Sequence, residues 1–262
     1  MMSSKTGLRM PPSEKCEIIA TTMVAWALMV IIFLKFGNFG FSWDALNHHI
    51  YLGWMAHHSR LDLDLWAAAS QSYQYPYLYL PIYEFYSHGI HGSLVGIATI
   101  SMSSIAIPAV WLISNTLVAE RSWGAVIFRF GAVLLAFSSA IVLSTFATTA
   151  NDFFAALPMI WAIALALISY ERMKNGSAER YFGLLAAFMA GVSVGLKVSN
   201  IVIAVALPLL LFHEIKALQG RRLVSLMLCS LAGYLLTYGY WGWKMWTRFG
   251  DPYYPLLQSV LK

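Results

Sequence analysis

Three properties predict an all-α, polytopic membrane protein: an apolar composition, scarce charge and long uninterrupted apolar segments. Of the 262 residues, 59% are hydrophobic and 11% are charged, whereas roughly a quarter of the residues of a soluble domain are charged. The mean hydropathy is +0.65. At roughly 20 residues for each crossing, the chain has room for about seven transmembrane helices and one large loop. The continuous apolar segments argue against an outer-membrane barrel, whose strands alternate in polarity.

Seven apolar segments are assigned as transmembrane helices of a single domain that covers residues 1–262. The fifth and sixth segments are separated only by Lys197, and basic clusters flank the pair on both sides. Because basic clusters favour the cytoplasmic side, we expect the pair to form a tight hairpin that crosses twice. The segments are Ile18–Phe36, Ser93–Leu117, Gly124–Ala147, Phe153–Tyr170, Tyr181–Leu196, Val198–Phe212 and Leu223–Trp241.

The positive-inside rule orients the chain with its N-terminus in the cytoplasm and its C-terminus outside. Residues 1–17 are predicted to form a cytoplasmic tail, and residues 37–92 the first outer loop of a multi-pass membrane protein, called the periplasmic loop below. The first apolar segment is too long for a signal peptide and is interpreted as a retained helix. The predicted cytoplasmic cations are Lys5, Arg9, Lys15, Arg121, Arg172, Lys174, Arg180, Lys216, Arg221 and Arg222. A smaller set faces outwards: Arg60, Lys197, Lys244, Arg248 and Lys262.

The aspartates and histidines are distributed unevenly in this topology. Every aspartate falls on the outer side, and all histidines except His213 lie in the first periplasmic loop. With so few residues, this uneven distribution could arise by chance. The alternative, which we favour, is a polar functional site on the outer face. The net charge of +5 is scattered along the chain, which argues against nucleic acid as a partner.

The start of the periplasmic loop concentrates the candidate chemistry. Residues Ala45–Ser59 fit a helix, and Trp43 would help to hold this helix at the membrane interface. Asp44 precedes the helix and His48 follows at i+4, so their side chains face the same way. The predicted stripe along one side of the helix consists of Leu46, Ile50, Trp54 and His57, of which Trp54 would also lie at the interface.

Two other interpretations of Asp44 are open at this point. Aspartate is a common N-cap, so Asp44 could serve only to begin the helix. Carboxylate and imidazole groups also ligate divalent cations, so Asp44 and His48 could hold Mg or Mn. His57 and His58, by contrast, are typical of a solvated or head-group-facing surface.

An aromatic segment, Gln71–Tyr83, occupies the second half of the same loop. Its rings could stack on sugars, but an interfacial belt is the favoured interpretation, because such belts occur in membrane proteins of every function. Glu84 follows this segment directly, and an apolar environment there would raise the pKa of its carboxyl group.

Two short turns are predicted to face the same side as the loop. Residues 148–152 include Asp152, and residues 195–200 include Lys197. Ionisable groups at membrane depth are costly and often functional, although Lys197 could simply reach lipid head groups. The glycines of Gly191–Gly195 are typical of close helix packing.

These motifs, taken in order, resemble those of polytopic bacterial glycosyltransferases of the GT-C superfamily. Each motif is short, and their order and common outward placement carry the resemblance. The resemblance implies transfer of a sugar from a polyprenyl-phosphate carrier, within the membrane lipid, to a hydroxyl acceptor on the periplasmic side. The motifs are Ser-Trp-Asp-Ala-Leu-Asn-His-His-Ile-Tyr at 42–51, Gln-Ser-Tyr at 71–73, Thr149 with Asn151 and Asp152, Gly-Leu-Lys-Val-Ser-Asn at 195–200 and Phe-Gly-Asp-Pro at 249–252.

The resemblance also implies roles for individual residues. Asp44 matches the essential acid of the first outer loop and would act as the catalytic base, and His49 matches a catalytic-site histidine one turn later. A phosphate leaving group requires charge neutralisation, which Lys197, a histidine or a divalent cation would supply. The predicted substrate-binding residues are Trp43, Asn47, His48, Tyr51, Glu84, Asn151, Asp152, Lys197 and Asn200.

One departure from the superfamily leaves other functions open. Related enzymes continue well beyond the Phe-Gly-Asp-Pro motif, whereas this sequence ends at Lys262 and is C-terminally short. The alternative is therefore a non-catalytic or truncated membrane subunit that binds a lipid carrier or a partner membrane protein. A transporter ranks last, because its polar groups would lie near the bilayer midplane rather than at one face.

Overall fold

The computed structural model describes residues 12–37, 40–58, 60–64, 67–176, 181–211 and 221–257. In these ranges the chain is predominantly helical, with one short extended segment, β1 (Ala67–Ser70). Most of the predicted cytoplasmic tail lies outside the described residues, as do Arg180, Phe212, His213, Lys216 and Lys262. The helices are α1 (Glu14–Phe36), α2 (Ile50–Met55), α3 (Leu80–Ser87), α4 (Gly92–Ser103), α5 (Ala106–Leu117), α6 (Trp123–Phe137), α7 (Ala140–Thr145), α8 (Asp152–Lys174), α9 (Tyr181–Leu196), α10 (Ile201–Leu210) and α11 (Arg221–Phe249).

Four helical stretches of the described chain are long and apolar enough to cross a membrane. They are Glu14–Phe36, Gly92–Leu117, Asp152–Lys174 and Arg221–Phe249. Three further apolar helices are shorter: Trp123–Phe137, Tyr181–Leu196 and Val198–Leu210. The predicted all-helical class is confirmed, and the described helices include four that could cross a membrane; the seven crossings and their orientation stay predictions.

The third predicted transmembrane segment, Gly124–Ala147, is not one continuous helix. Its first helix, α6, ends at Phe137, and the short α7 begins two residues after Ser138. The Ser139 hydroxyl accepts a hydrogen bond from the Val142 N–H at 3.4 Å, so Ser139 caps a new helix. Serine side chains compete for backbone groups in this way, which explains the break in an otherwise apolar segment.

Helices α9 and α11 pack at backbone contact, as the glycine spacing predicted. A β-carbon built on Gly191 would overlap the carbonyl oxygen of Ser230, and one on Gly195 would overlap the Thr237 hydroxyl. Gly233 of α11 meets the Phe188 carbonyl in the same manner. Small residues allow this close approach, which is the usual basis of helix association in membranes.

Contacts between distant connections define two ends of the bundle: Gly40 is bridged to Thr148 and Lys197 is paired with Asp152 at one end, and Arg129 contacts Glu17 and Val118 at the other. We call the end at which α1 begins the tail end and the end at which it stops the loop end. At the tail end, Arg129 is fully buried and donates to Glu17 from Nε at 2.6 Å and from Nη2 at 2.8 Å. The Val118 carbonyl accepts from Arg129 Nη1 at 2.8 Å, and Trp111 Nε1 donates to Glu17 at 3.0 Å. The buried pair thereby joins α1, α5 and α6.

Candidate functional site

The helix that carries Asp44 begins with a serine cap rather than with Asp44. The Ser42 hydroxyl accepts a hydrogen bond from the Ala45 N–H at 3.2 Å. Among the described residues, Asp44 makes no side-chain cap hydrogen bond, and its side chain is 54% exposed. The interpretation of Asp44 as an N-cap is therefore wrong, and its carboxylate faces open space.

A π-helical turn, Ala45–His49, turns two histidines towards the bundle. His48 and His49 are 4% and 8% exposed, whereas Leu46 is 73% exposed. Of the predicted apolar stripe, Leu46 is exposed, whereas Ile50 and Trp54 are partly buried, so the stripe only partly faces away from the protein. The turn continues into α2, which ends at Met55, so the helix is shorter than the predicted Ala45–Ser59. Isolated π-turns are frequent at functional sites.

Asp44 and His48 face each other, as their i, i+4 spacing predicted. The distance from His48 Nδ1 to Asp44 Oδ1 is 3.9 Å, which is too long for a direct hydrogen bond. Within the described part of the chain, this buried Nδ1 has no hydrogen-bond partner. Burial lowers the pKa of His48, Asp44 acts in the opposite direction, and the nearby Lys197 lowers it further. His48 is therefore a neutral imidazole whose free nitrogen can bind a ligand group.

His49 connects the loop to the turn at residues 148–152. Its Nδ1 lies 2.6 Å from the hydroxyl of the fully buried Thr149. Its ring stacks on Tyr79 with centroids 4.7 Å apart. Burial, with a smaller contribution from His48, lowers the pKa of His49 to about 4. These contacts position the loop helix, and a catalytic role for His49 stays a prediction.

Lys197 and the turn at residues 148–152 meet at the loop end. The Lys197 ammonium forms an ion pair with Asp152 and donates to Asn151 Oδ1 at 3.4 Å. Both charged side chains are partly exposed, at 35% for Lys197 and 66% for Asp152. Asn200 has a different role, because its amide donates to the Ala155 carbonyl at 3.0 Å and to the Ser193 hydroxyl at 2.9 Å. It holds the hairpin turn against α8.

A cavity of about 230 Å³ opens beside these residues, and we call it the polar cavity. Lys197 is the one cation among its described lining residues, and Asn151 also faces it. Tyrosines contributed by the aromatic segment, by α11 and by residues 250–257 complete the wall. They include Tyr73, Tyr75, Tyr79, Tyr238, Tyr253 and Tyr254.

The tyrosines were the part of the site that the sequence interpretation missed. The preferred assignment of Gln71–Tyr83 to an interfacial belt fails for Tyr73 and Tyr79, which are 3% and 4% exposed inside the protein. Tyr73 is packed edge-on against Tyr254, with centroids 4.6 Å apart. The sequence signal is Tyr253-Tyr254, which directly follows Phe-Gly-Asp-Pro. Tyrosines that recur in two loops distant in the chain can line one cavity.

Of the nine predicted substrate-binding residues, only Asn151 and Lys197 belong to the described lining of the polar cavity, and the other seven lie outside it, as do Asp44 and His49. The contacts of His48, Asp152 and Asn200 are given above, and four residues remain. Glu84 contacts His57, with 2.5 Å between Oε1 and Nε2. Asn47 donates to Gln71 at 3.1 Å, and Tyr51 donates to Asp64 at 3.4 Å. The fourth, Trp43, is 73% exposed. Burial, followed by the Asp64 charge, raises the pKa of Tyr51 to about 12. Substrate contacts for these four residues stay predictions.

The residues for a divalent cation are few. The described residues contain no group of three or more histidine, cysteine or acidic side chains arranged to hold a metal. Asp44 and His48 could supply two ligands, so a Mg or Mn ion there would require phosphate or water oxygens to complete its coordination. A cation at this site would therefore take most of its ligands from a phosphorylated substrate or from water.

Comparisons with known proteins do not assign the chain. No protein-family model, curated protein or solved structure matches it significantly. A function for this protein is therefore inferred from the geometry at the loop end and from the motifs that carry the resemblance.

Proposed function

We propose that this protein is a membrane glycosyltransferase that transfers a sugar from a polyprenyl-phosphate carrier to a hydroxyl acceptor on the periplasmic side of the bacterial inner membrane. One observation carries the proposal. The exposed Asp44 carboxylate lies 3.9 Å from a His48 nitrogen that has no partner among the described residues. Both are near a cavity whose described lining contains one cation, Lys197. A base, a hydrogen-bonding partner and a phosphate-binding charge are the groups that such a transfer requires.

In this scheme the acceptor hydroxyl binds at the exposed side of Asp44, to one side of the line that joins Asp44 Oδ1 and His48 Nδ1, which are 3.9 Å apart. It donates to Oδ1 of Asp44, and a small shift of the loop helix would bring the buried Nδ1 of His48 into hydrogen-bond contact with the same oxygen. Asp44 takes the hydroxyl proton as general base while the oxygen attacks the anomeric carbon of the donor sugar. The new carbon–oxygen bond forms as the bond from that carbon to the phosphate oxygen breaks, and configuration inverts.

The departing phosphate takes the electron pair and gains negative charge. Lys197 is placed to neutralise this charge, because it lines the cavity and its ammonium is fixed by Asp152 and Asn151. A phosphate is a good leaving group, so a second carboxylic acid of the kind that glycosidases use is not required. In this scheme His49 positions the loop helix through Thr149.

The membrane topology of the proposal has seven crossings, with the N-terminus inside and the C-terminus outside. Two contacts support a common face for the site. Gly40 of the loop forms a parallel bridge with Thr148, and Lys197 pairs with Asp152. The long loop and both turns therefore share one end of the bundle, as expected when two crossings separate each of these connections from the next.

The test is sugar transfer by the purified full chain carrying Asp44→Asn. Loss of a general base lowers the rate by roughly 10²–10⁴-fold, while the melting temperature should be unchanged because the side chain is exposed and does not cap the helix. Asp62→Asn is the matched control, since Asp62 is a loop aspartate with 52% side-chain exposure. Equal transfer by wild type and Asp44→Asn would reject the base. A stable complex with a second membrane protein would then favour the non-catalytic subunit.

A further inference from the structure

Two cavities adjoin at the loop end. Beside the polar cavity, an apolar groove of about 410 Å³ lies between α9, α10 and α11. Val194 and Tyr253 belong to the walls of both. The groove falls in the size range of ligand pockets, roughly 300–1,000 Å³. The two spaces are thus separated by one shared wall.

The two cavities differ in chemistry. Ser230, Tyr234 and Tyr253 are the polar residues among the described lining of the groove, and its other lining residues are apolar. The polar cavity contains the Lys197 ammonium. A ligand that occupies both spaces must therefore combine an anionic head with a hydrocarbon chain.

Tyr253 of the shared wall pairs its hydroxyl group with that of Tyr234, which lines the groove. The Tyr253 and Tyr234 hydroxyl oxygens are 2.5 Å apart. Tyr253 is held in place because its N–H donates to Asp251 Oδ1 at 2.7 Å and its ring stacks on Tyr238 with centroids 4.9 Å apart. A phenol both donates and accepts, so a ligand oxygen can replace either partner of this pair.

We propose that the Tyr234–Tyr253 hydroxyl pair is the junction of a single binding channel, where it selects a phosphate joined directly to one long apolar chain. The phosphate lies in the polar cavity near Lys197, its ester oxygen bonds to the hydroxyl pair, and the chain occupies the groove. The assignment of that chain as polyprenyl rests on the proposed glycosyltransferase function. A single chain fits a groove of about 410 Å³, whereas a phospholipid would leave its second chain outside.

The first test fills the groove. Ala204→Phe on α10 places a ring inside it, whereas Val202→Phe places the same ring on an outer face of α10 that is 75% exposed and outside the groove lining. The full chain in nanodiscs is titrated with a long-chain polyprenyl phosphate and with a short isoprenyl phosphate. We expect Ala204→Phe to weaken long-chain binding by roughly tenfold or more and to leave short-chain binding unchanged. Val202→Phe should change neither.

Two further variants are needed, one in case Ala204→Phe does not fold and one to test the tyrosine hydroxyl pair. Val205→Trp also narrows the groove. Because Val205 is 72% exposed, the fold should accommodate the larger side chain there even if Ala204→Phe does not fold. Tyr253→Phe retains the stacked ring and removes one hydroxyl group. It should weaken binding of the polyprenyl phosphate by roughly tenfold without affecting an isoprenoid hydrocarbon that lacks the ester oxygen.

The outcomes separate the channel from the proposed enzyme activity. Equal long-chain binding by Ala204→Phe and Val202→Phe would overturn the channel, as would equally strong competition by phosphatidylglycerol vesicles, which would identify the groove as a site for bulk lipid. Chain-dependent binding without sugar transfer would retain the channel and reject the glycosyltransferase. Sugar transfer that is insensitive to the groove variants would retain the glycosyltransferase and reject the channel.

Discussion

The charged residues at the two ends of the helical bundle differ in burial and in how completely they are hydrogen-bonded. At the tail end, Arg129 and Glu17 are buried, and their hydrogen-bonding groups have partners in three helices. At the loop end, the Asp44 carboxylate is half-exposed and His48 Nδ1 has no partner within the described residues. A buried ion pair requires complete pairing to be tolerated. Groups that are left free are available for a ligand, so the comparison separates structural charges from candidate functional charges.

The largest expected effect is on stability at the tail end. Arg129→Met leaves the Glu17 carboxylate buried without its main partner, which should lower the free energy of unfolding by about 3–5 kcal/mol. Unfolding of the detergent-solubilised protein by a denaturing detergent measures this change. The double variant Glu17→Met/Arg129→Met removes both charges and should recover much of the loss. If the double variant is as unstable as Arg129→Met, packing rather than the unpaired charge explains the defect.

A smaller stability effect is expected at the loop end, and it depends on pH. An unfolded histidine has a pKa near 6.5 and binds a proton there, whereas the pKa of His49 in the folded protein is lowered to about 4. The folded state therefore binds fewer protons between these values, and its stability, complete above pH 6.5, falls as the pH is lowered towards 4. The full shift corresponds to about 3 kcal/mol.

Thermal unfolding of wild type and His49→Gln at several pH values tests this effect. Between pH 6.5 and 5, His49→Gln should show a flatter loss of stability, because one titrating group has been removed. Parallel curves for the two proteins would show that His49 does not contribute, and would contradict its neutral buried state beside Thr149.

The smallest stability effect is expected at Lys197, although its effect on activity should be large. The pair with Asp152 is partly exposed, and such pairs contribute about 0–1 kcal/mol. Lys197→Gln should therefore leave unfolding nearly unchanged while sugar transfer falls by roughly 10²–10³-fold, as for loss of one group that stabilises developing charge. Lys197→Arg keeps the charge and serves as the control. A stability loss comparable to that of Arg129→Met would remove the distinction between the two ends.

Local patterns in the sequence were sufficient for much of this structure. Hydropathy located the apolar helices, the i, i+4 spacing placed Asp44 beside His48, and the glycines at 191 and 195 marked the contact between α9 and α11. These properties depend on residues that are close in the chain or on the periodicity of one helix. Capping was the exception, because Ser42 and Asp44 are both suitable caps and only the backbone geometry selects Ser42.

Other features depend on contacts between distant residues and could not be obtained in this way. The partner of Arg129 is Glu17, in a helix more than a hundred residues earlier in the chain. An arginine within an apolar segment indicates that a partner exists, but not which one. Tyr73 and Tyr254 likewise meet only because the loop folds over the end of α11.

The sequence by itself determined that this is an apolar helical chain with its histidines and aspartates concentrated near one loop, because composition and periodicity are properties of the chain alone. The tertiary structure decided which of those polar groups are satisfied and which are free. It buried His49 against Thr149, left Asp44 open, and brought Tyr253 to Tyr234 between two cavities. The physical reason is that burial and hydrogen-bond pairing are set by neighbours in space, which only packing brings together.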